Sequence, residues 1–294
     1  MLASGDWLKP RYLGQVWLAK PPLLYWLVAA SFRMLGVGEW QARLVCVLTG
    51  CVTVLLTGTI GARLFDRRTG LAAGLLLATS GLFGIVGRML LTDGPMLACT
   101  LGAILIHWTM RDRPRAGAAL VYGLLIGLGI LAKGPATLVF AGGFALGLLW
   151  AEWRGWLFSV FYWLWVPAAA LVAAPWYLHM ARADRGTLIE QFVWFEIVSR
   201  IADAPHGHTG PPGYHLVQSL TGLLPWTVFV PGVLLAAWAH RREPRTRLLL
   251  VWCAVPWLIL ELIRSKLPHY ILPCYVPLML LLAGHMAAAW ERSE

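Results

Sequence analysis

Three lysines occupy the same kind of position, each at a proline-bounded end of an apolar stretch. Lys20 lies in AKPPLLYW, Lys133 in ILAKGPATL and Lys266 in RSKLPHY. A single lysine of this kind is explained by an ammonium that reaches water from the edge of a bilayer. Three of them at one membrane boundary indicate a shared site for an anion, because lysine binds phosphate as a point charge.

Asp93 is an isolated acid in the segment LLTDGPM, between two apolar stretches. Gly94 and Pro95 follow it, so it stands at a turn where a helix begins. One interpretation is an N-cap, a position that aspartate favours. The other is a functional carboxylate, since the lysine-bearing connections are expected beside it on the same side of the membrane.

The connection 182–214 is the longest polar segment. Apolar residues recur at helical spacing between Leu188 and Ile201, which predicts a helix. Glu196 and Arg200 are four residues apart on it and can pair, although a surface pair contributes little. Nearby, His206 and His208 could bind a metal, but no third ligand is close in sequence, and loop packing or substrate contact is preferred.

The segment RSKLPHYILP, residues 264–273, holds the densest group of polar side chains. Lys266, His269 and Tyr270 stand here with an arginine, between two apolar stretches. An interfacial loop rarely needs all four. Together they predict binding of a phosphate and of sugar hydroxyls.

Composition indicates how these segments are held. Of 294 residues 59% are hydrophobic and 13% are charged, against about 25% charged in ordinary soluble domains. Apolar runs of about 17–25 residues cross a bilayer, and only helices satisfy the backbone there. We therefore predict an all-α integral membrane protein, a polytopic helix bundle. About nine spans are expected, near 42–62, 70–91, 94–110, 116–132, 134–150, 156–181, 215–239, 248–263 and 270–290.

Residues 1–41 are predicted to form an extracytoplasmic, interfacial segment with a surface helix around 21–35, and 42–294 the transmembrane bundle, including the outside helical loop 182–214. The net charge of +10 does not indicate nucleic acid binding, because the arginines cluster in short connections between spans. That is the positive-inside pattern. It predicts that the arginine clusters at 63–68, 111–115 and 241–247 are cytoplasmic.

Eight motifs follow one another along the chain: GDWLKPRYLG, KPPLLYWL, TDGPML, AKGP, PWY, HGHTGPPGYH, LLPW and RSKLPHYILP. In this order they resemble family 39 of the glycosyltransferases, and within it the bacterial aminoarabinose-transferase-like branch more than the protein O-mannosyltransferases. The resemblance implies a polytopic enzyme of the bacterial inner membrane with a periplasmic active face. Such an enzyme moves a sugar from a polyprenyl-phosphate carrier to a lipid A-like glycolipid or another lipid or protein acceptor.

The resemblance also assigns roles. Lys20 matches the lysine that holds the carrier phosphate, and Asp93 matches the family's acid between early spans, which makes it the candidate catalytic residue. The positions expected around the phosphate and sugar are Lys133, Arg200, Lys266, His269 and Tyr270. No cofactor is required with certainty, and the ligand spacing does not support a divalent metal.

Two alternatives to an active transferase stay open, a protein that only binds the carrier and a lipid transporter. The family's Asp-Glu pair normally stands just upstream of the text with which this chain begins, so an N-terminally incomplete, weakly active copy is expected. A protein that only binds the carrier would fit this too. A transporter or flippase for an anionic lipid also needs basic residues near one face, but it more often shows an internal repeat and charges at the midplane.

Overall fold

A computed structural model describes residues 1–2, 4–202 and 207–291. Two short antiparallel strands, β1 (Arg11–Tyr12) and β2 (Gln15–Val16), precede the helices. The α-helices of the described residues are α1 (Leu23–Leu35), α2 (Glu39–Leu64), α3 (Arg67–Ala78), α4 (Gly81–Val86), α5 (Asp93–Met110), α6 (Ala116–Lys133), α7 (Ala136–Trp150), α8 (Trp165–Ala183), α9 (Arg185–Thr187), α10 (Ser199–Ala202), α11 (Tyr214–Gly222), α12 (Val230–Ala239), α13 (Pro244–Leu262) and α14 (Leu272–Glu291). Single 3₁₀ turns occupy Tyr162–Leu164, Trp226–Phe229 and Pro268–Ile271, and Leu188–Val198 is a π-helix.

Four helical segments in the described part of the chain are long and apolar enough to cross a membrane. They are Glu39–Leu64, Ala116–Lys133, Tyr162–Ala183 and Pro268–Glu291. Shorter apolar helices accompany them, among them α1 and α7. This confirms the predicted class, an all-α membrane protein.

Two predicted spans are interrupted. The stretch 70–91 divides into α3 and α4, because the hydroxyls of Thr79 and Ser80 donate to carbonyls of the preceding turn and compete with helical hydrogen bonding. The stretch 215–239 divides into α11 and α12 around Pro225, which has no N–H to continue a helix. A third, 156–181, becomes helical only from Tyr162 onward.

Helix α14 lies at the centre of the bundle and packs against α3, α12 and α13. In its apolar stretch 72% of the residues are buried, against 28–44% in the other three long spans. Glycines let neighbouring helices approach closely. A Cβ on Gly70 of α3 would lie 2.3 Å from the Gly58 carbonyl oxygen of α2, and one on Gly123 of α6 would lie 2.3 Å from the Trp165 carbonyl oxygen at the start of α8. Membrane helices commonly pack through such small residues.

Several chain turns meet at one end of this bundle. Lys20 precedes α1, Asp93 begins α5, and Lys133 ends α6. Gly134 closes α6 with a φ of 66°, a backbone conformation that favours glycine. Tyr270 lies in the 3₁₀ turn that leads into α14.

Candidate functional site

Asp93 and Lys133 form a buried ion pair. The Lys133 Nζ donates to the Asp93 Oδ1 at 2.6 Å, with the side chains 15% and 3% exposed. The His269 Nε2 lies 3.9 Å from the other carboxylate oxygen. The helix is preceded by Thr92 as N-cap, so the Asp93 carboxylate is directed at Lys133 instead of capping α5. The N-cap interpretation of Asp93 is therefore wrong.

Glu196 holds two further cations. Its Oε2 accepts from the Lys20 Nζ and lies 3.0 Å from the Arg200 Nε, while its Oε1 accepts from the Arg200 Nη2 at 3.1 Å. The Glu196 side chain is only 6% exposed. The predicted pairing of Glu196 with Arg200 is confirmed. It is not an exposed surface pair, because the Glu196 side chain is buried and also binds Lys20.

Tyr270 connects the two ion pairs. Its hydroxyl accepts from the Arg200 Nη1, and its ring centroid lies 4.8 Å from the Lys133 Nζ, within range of a cation–π interaction. Lys20, Glu196, Arg200, Tyr270, Lys133 and Asp93 therefore form one continuous set of contacts, which we call the charged network.

The charged network has an excess of positive charge. Lys20, Lys133 and Arg200 face only the two carboxylates of Glu196 and Asp93. Burial lowers the pKa of the Lys20 ammonium, even though Glu196 favours its charged form. An additional anion at this position would therefore be stabilised.

An amphipathic cavity of about 380 Å³ opens from the charged network. Its polar end holds Lys20, Lys133, Glu196, Arg200 and Tyr270. Its walls are apolar and come mainly from the N-terminal half of α7 and the C-terminal end of α13, through Ala136, Val139, Phe140, Ile259, Leu260 and the following Ile263. We call this the α7–α13 cavity.

A second cavity of about 470 Å³ lies on the other side of Lys20. The N-terminal segment, α1 and residues 90–92 line it, and Arg11 contributes a further cation. Because Lys20 borders both cavities, two molecules could approach the charged network from different sides.

Lys266 does not join the charged network, contrary to expectation. Its Nζ donates to the Glu261 Oε2 at 2.8 Å and to the Pro211 carbonyl oxygen at 3.1 Å, and the residue is 5% exposed. It does not line the α7–α13 cavity. Its ammonium pairs instead with Glu261, which stands five residues earlier in the chain.

The predicted helix at 188–201 is present but wound differently. Leu188–Val198 is a π-helix and only α10 continues it. In a π-helix each N–H bonds the carbonyl five residues earlier, rather than four as in an α-helix, and such segments often occur at functional sites. The apolar periodicity could not distinguish the two windings.

Metal binding finds no support in the described residues, where no three His, Cys, Asp or Glu side chains come together. Of the two histidines considered for it, His206 lies outside the described residues, and the backbone carbonyl of His208 accepts from Lys266.

Sequence reasoning missed the importance of Glu196 and Glu261. Both are acids beside apolar residues, and each stands four or five positions before a basic residue that it contacts. That spacing was the available signal, but it is equally common in surface salt bridges.

These features define a polytopic helical membrane protein with a charged site and an amphipathic cavity at one end of its bundle. The family described as dolichyl-phosphate-mannose-protein mannosyltransferase matches residues 19–179, which is more than half of the chain. The chain belongs to this family, and the resemblance drawn from its motifs to family 39 of the glycosyltransferases is confirmed.

Curated relatives extend the match along the chain. It is 32% identical over 292 residues to the undecaprenyl phosphate-alpha-4-amino-4-deoxy-L-arabinose arabinosyl transferase of Edwardsiella ictaluri (strain 93-146). It is 34% identical over 295 residues to the protein of the same name from Pseudomonas aeruginosa (strain LESB58). Each match covers 97% of this chain but only 53% and 52% of the relative. The chain thus spans about half the length of the curated relatives it matches.

Solved structures share the fold. ArnT from Cupriavidus metallidurans bound to undecaprenyl phosphate superposes with a TM-score of 0.86 at 23% identity, over 98% of this chain and 53% of that chain. The Archaeoglobus fulgidus oligosaccharyltransferase tethered with an acceptor peptide superposes with a TM-score of 0.57 at 15% identity, over 94% and 42%. The bundle is therefore one that other membrane proteins of this kind also adopt.

Proposed function

We propose that this chain carries the donor site of a membrane glycosyltransferase that takes a sugar from a polyprenyl-phosphate carrier. The observation that carries the proposal is the charged network at the polar end of the α7–α13 cavity. A lipid phosphate needs cations for its head and an apolar surface for its chain, and this cavity offers both. The arabinosyl transferases to which the chain is similar, and the ArnT structure bound to undecaprenyl phosphate, support the same carrier class.

The carrier phosphate would lie against Lys20, Arg200 and Lys133, with the Tyr270 hydroxyl as a further donor. A carrier-linked sugar is a phosphodiester with one negative charge, which matches the single excess positive charge of the network. The polyprenyl chain would follow the apolar walls between α7 and α13. These walls and the bound chain would exclude water, so each charge interaction would be stronger than in solution.

The reaction would be a single inverting displacement. An acceptor hydroxyl attacks the anomeric carbon, the bond from that carbon to the phosphate oxygen breaks, and the electron pair stays on the phosphate. The phosphate thereby gains a second negative charge, which Lys20, Lys133 and Arg200 stabilise. Asp93 is the proposed catalytic residue, because its carboxylate orients Lys133 and, beside His269, provides a destination for the acceptor's proton.

The acceptor would use the second cavity, across Lys20 from the carrier. That cavity is lined mostly by apolar residues, with Arg11 and Lys20 at its polar positions. This chemistry fits an amphipathic glycolipid with phosphate groups, such as a lipid A-like molecule, better than an extended protein segment.

The proposed topology has nine membrane crossings in a bacterial inner membrane. The interrupted pairs α3–α4 and α11–α12 would each count as one crossing. The arginine clusters at 63–68, 111–115 and 241–247 would face the cytoplasm and the charged network the periplasm. The positive-inside rule supports this orientation.

The proposal is tested with a labelled, carrier-linked sugar and the Asp93→Asn variant. We expect this variant to retain labelled carrier while transferring sugar at least about 100-fold more slowly, within the range for losing an acid–base group. Asp112→Asn, which removes an exposed acid from the opposite end of the bundle, is the matched control. Label that moves between the leaflets of a vesicle without covalent transfer would indicate a flippase instead.

A further inference from the structure

Lys266 is buried among contacts of its own. Its ammonium bridges the Glu261 carboxylate at the end of α13 and the Pro211 carbonyl oxygen of the loop before α11. The other oxygen of Glu261 accepts the backbone N–H of His215, in the first turn of α11, at 2.9 Å. One ion pair thus joins α13, α11 and the loop that precedes α11.

The backbone beside Lys266 fastens a second segment. The Ser265 N–H donates to the Arg200 carbonyl oxygen at 3.0 Å, and the Lys266 N–H donates to the His208 carbonyl oxygen at 2.7 Å. Thr209 and Ser265 form an isolated antiparallel bridge. The backbone of Arg200, whose guanidinium belongs to the charged network, is therefore hydrogen-bonded directly to the segment that contains Lys266.

The two sides of this connection face different regions. Ser265 lines the α7–α13 cavity, whereas its neighbour Lys266 does not. Successive side chains of an extended segment point to opposite sides, which explains the difference. Tyr270 follows four residues later and accepts from Arg200. The position of Arg200 relative to Tyr270 therefore depends on the position of residues 264–266, which bond the Arg200 backbone.

We propose that Lys266 and Glu261 act as a clamp that positions Arg200 and Tyr270 for the carrier phosphate, and that Lys266 is not itself a phosphate ligand. The effect of the clamp on carrier binding rests on the proposed function, whereas the contacts that form the clamp do not. The Lys266 side chain is 4% exposed and the Glu261 side chain 17% exposed, so removing either charge leaves the other without its ion-pair partner in a site with little access to water, which destabilises the connection locally. Residues 207–213 and α10 would then separate from the 264–266 connection.

The distinction from a phosphate ligand is made by comparing three variants in detergent: Lys266→Met, Glu261→Gln and the double variant. The probe is undecaprenyl phosphate, and we expect each single variant to bind it about tenfold more weakly. The double variant should recover part of that loss, because no unpaired charge remains. A phosphate-binding lysine predicts the reverse: Glu261→Gln would bind as tightly or more tightly, and the double variant would remain as weak as Lys266→Met.

A readout without carrier separates the clamp from the proposed function. Backbone hydrogen exchange at Ser265 and Lys266, whose N–H groups donate to the Arg200 and His208 carbonyl oxygens, should be about tenfold faster in each single variant than in the parent chain. The control is Arg185→Met, which removes an exposed cation from the same long connection. Unchanged exchange would overturn the clamp. Faster exchange, with the parent chain failing to bind undecaprenyl phosphate, would retain the clamp and overturn the proposed carrier site. If Lys266→Met does not fold, Glu261→Gln alone decides both readouts.

Discussion

Glu196 determines the arrangement of individual residues in the site. It is a carboxylate with almost no exposure, and it holds Lys20 and Arg200 together from two distant parts of the sequence. Without it, the two cations would repel each other at close range. A carrier phosphate would take over part of its role, since phosphate oxygens can accept the same hydrogen bonds. The network is thus organised for an anion before one arrives.

Replacing Lys20 with alanine should weaken binding of undecaprenyl phosphate by about 1.5–3 kcal/mol, the range for a hydrogen bond to a charged group. Equilibrium binding of the labelled carrier to purified protein measures this. Lys9→Ala removes a lysine that makes no contact with the charged network and should bind as the parent chain does. Equal losses in both variants would mean that only general positive charge matters.

The pH dependence of carrier binding should reflect Lys20. Its ammonium is charged below its pKa and loses its proton as pH rises through that value. Because burial lowers this pKa below 10.5, affinity should begin to fall at a lower pH than an exposed lysine would give. The Lys20→Arg variant keeps its charge throughout. Binding curves from neutral pH upward should therefore extend further into the alkaline range for the arginine variant, and coincident curves would contradict the assignment.

At the scale of elements, the walls of the α7–α13 cavity depend on close helix packing. The two helices touch at Gly143 and Gly147, where α7 lies against Leu248 and Pro256 of α13. Toward the N-terminus of α7 and the C-terminus of α13, the same two helices line the cavity. The glycine contact therefore adjoins the cavity along one helix pair.

Gly147 and Gly142, both in α7, offer a matched test of this packing. A Cβ on Gly147 would lie 2.8 Å from the Leu248 carbonyl oxygen, while one on Gly142 would meet nothing within 4 Å. We expect Gly147→Ala to destabilise the protein by about 1–3 kcal/mol through overpacking. Gly142→Ala should be neutral or stabilise by up to about 1 kcal/mol, as alanine favours helices. Thermal unfolding in detergent compares them, and equal melting temperatures would show that the helices adjust freely.

For the whole molecule, the central prediction is its orientation. Single cysteines at Arg113 and at Thr209, each on a cysteine-free background, should react with membrane-impermeant reagents from opposite sides of sealed vesicles. The expectation follows from the charge asymmetry of the short connections. Labelling from the same side would contradict both the orientation and the periplasmic site.

The sequence by itself determined the class of this protein and most of its site. Apolar run length predicted membrane helices, because the bilayer admits few alternatives. Its motifs identified the family and singled out Lys20, Asp93, Lys133, Arg200 and Tyr270, which the structure brings together. Their function in carrier binding and transfer stays a prediction.

Only the tertiary structure decided which charges face each other. Lys266 resembles the other lysines in its local sequence, but its ammonium pairs with Glu261 and makes no contact with the charged network. The local sequence indicates that Glu196 is one half of a surface pair, but in the structure it is buried and binds Lys20, which is distant in sequence. Local patterns report chain spacing, whereas the partner of a buried charge depends on which distant segment folds against it. The low dielectric there makes an unpaired charge too costly to persist, so that choice of partners fixes the site.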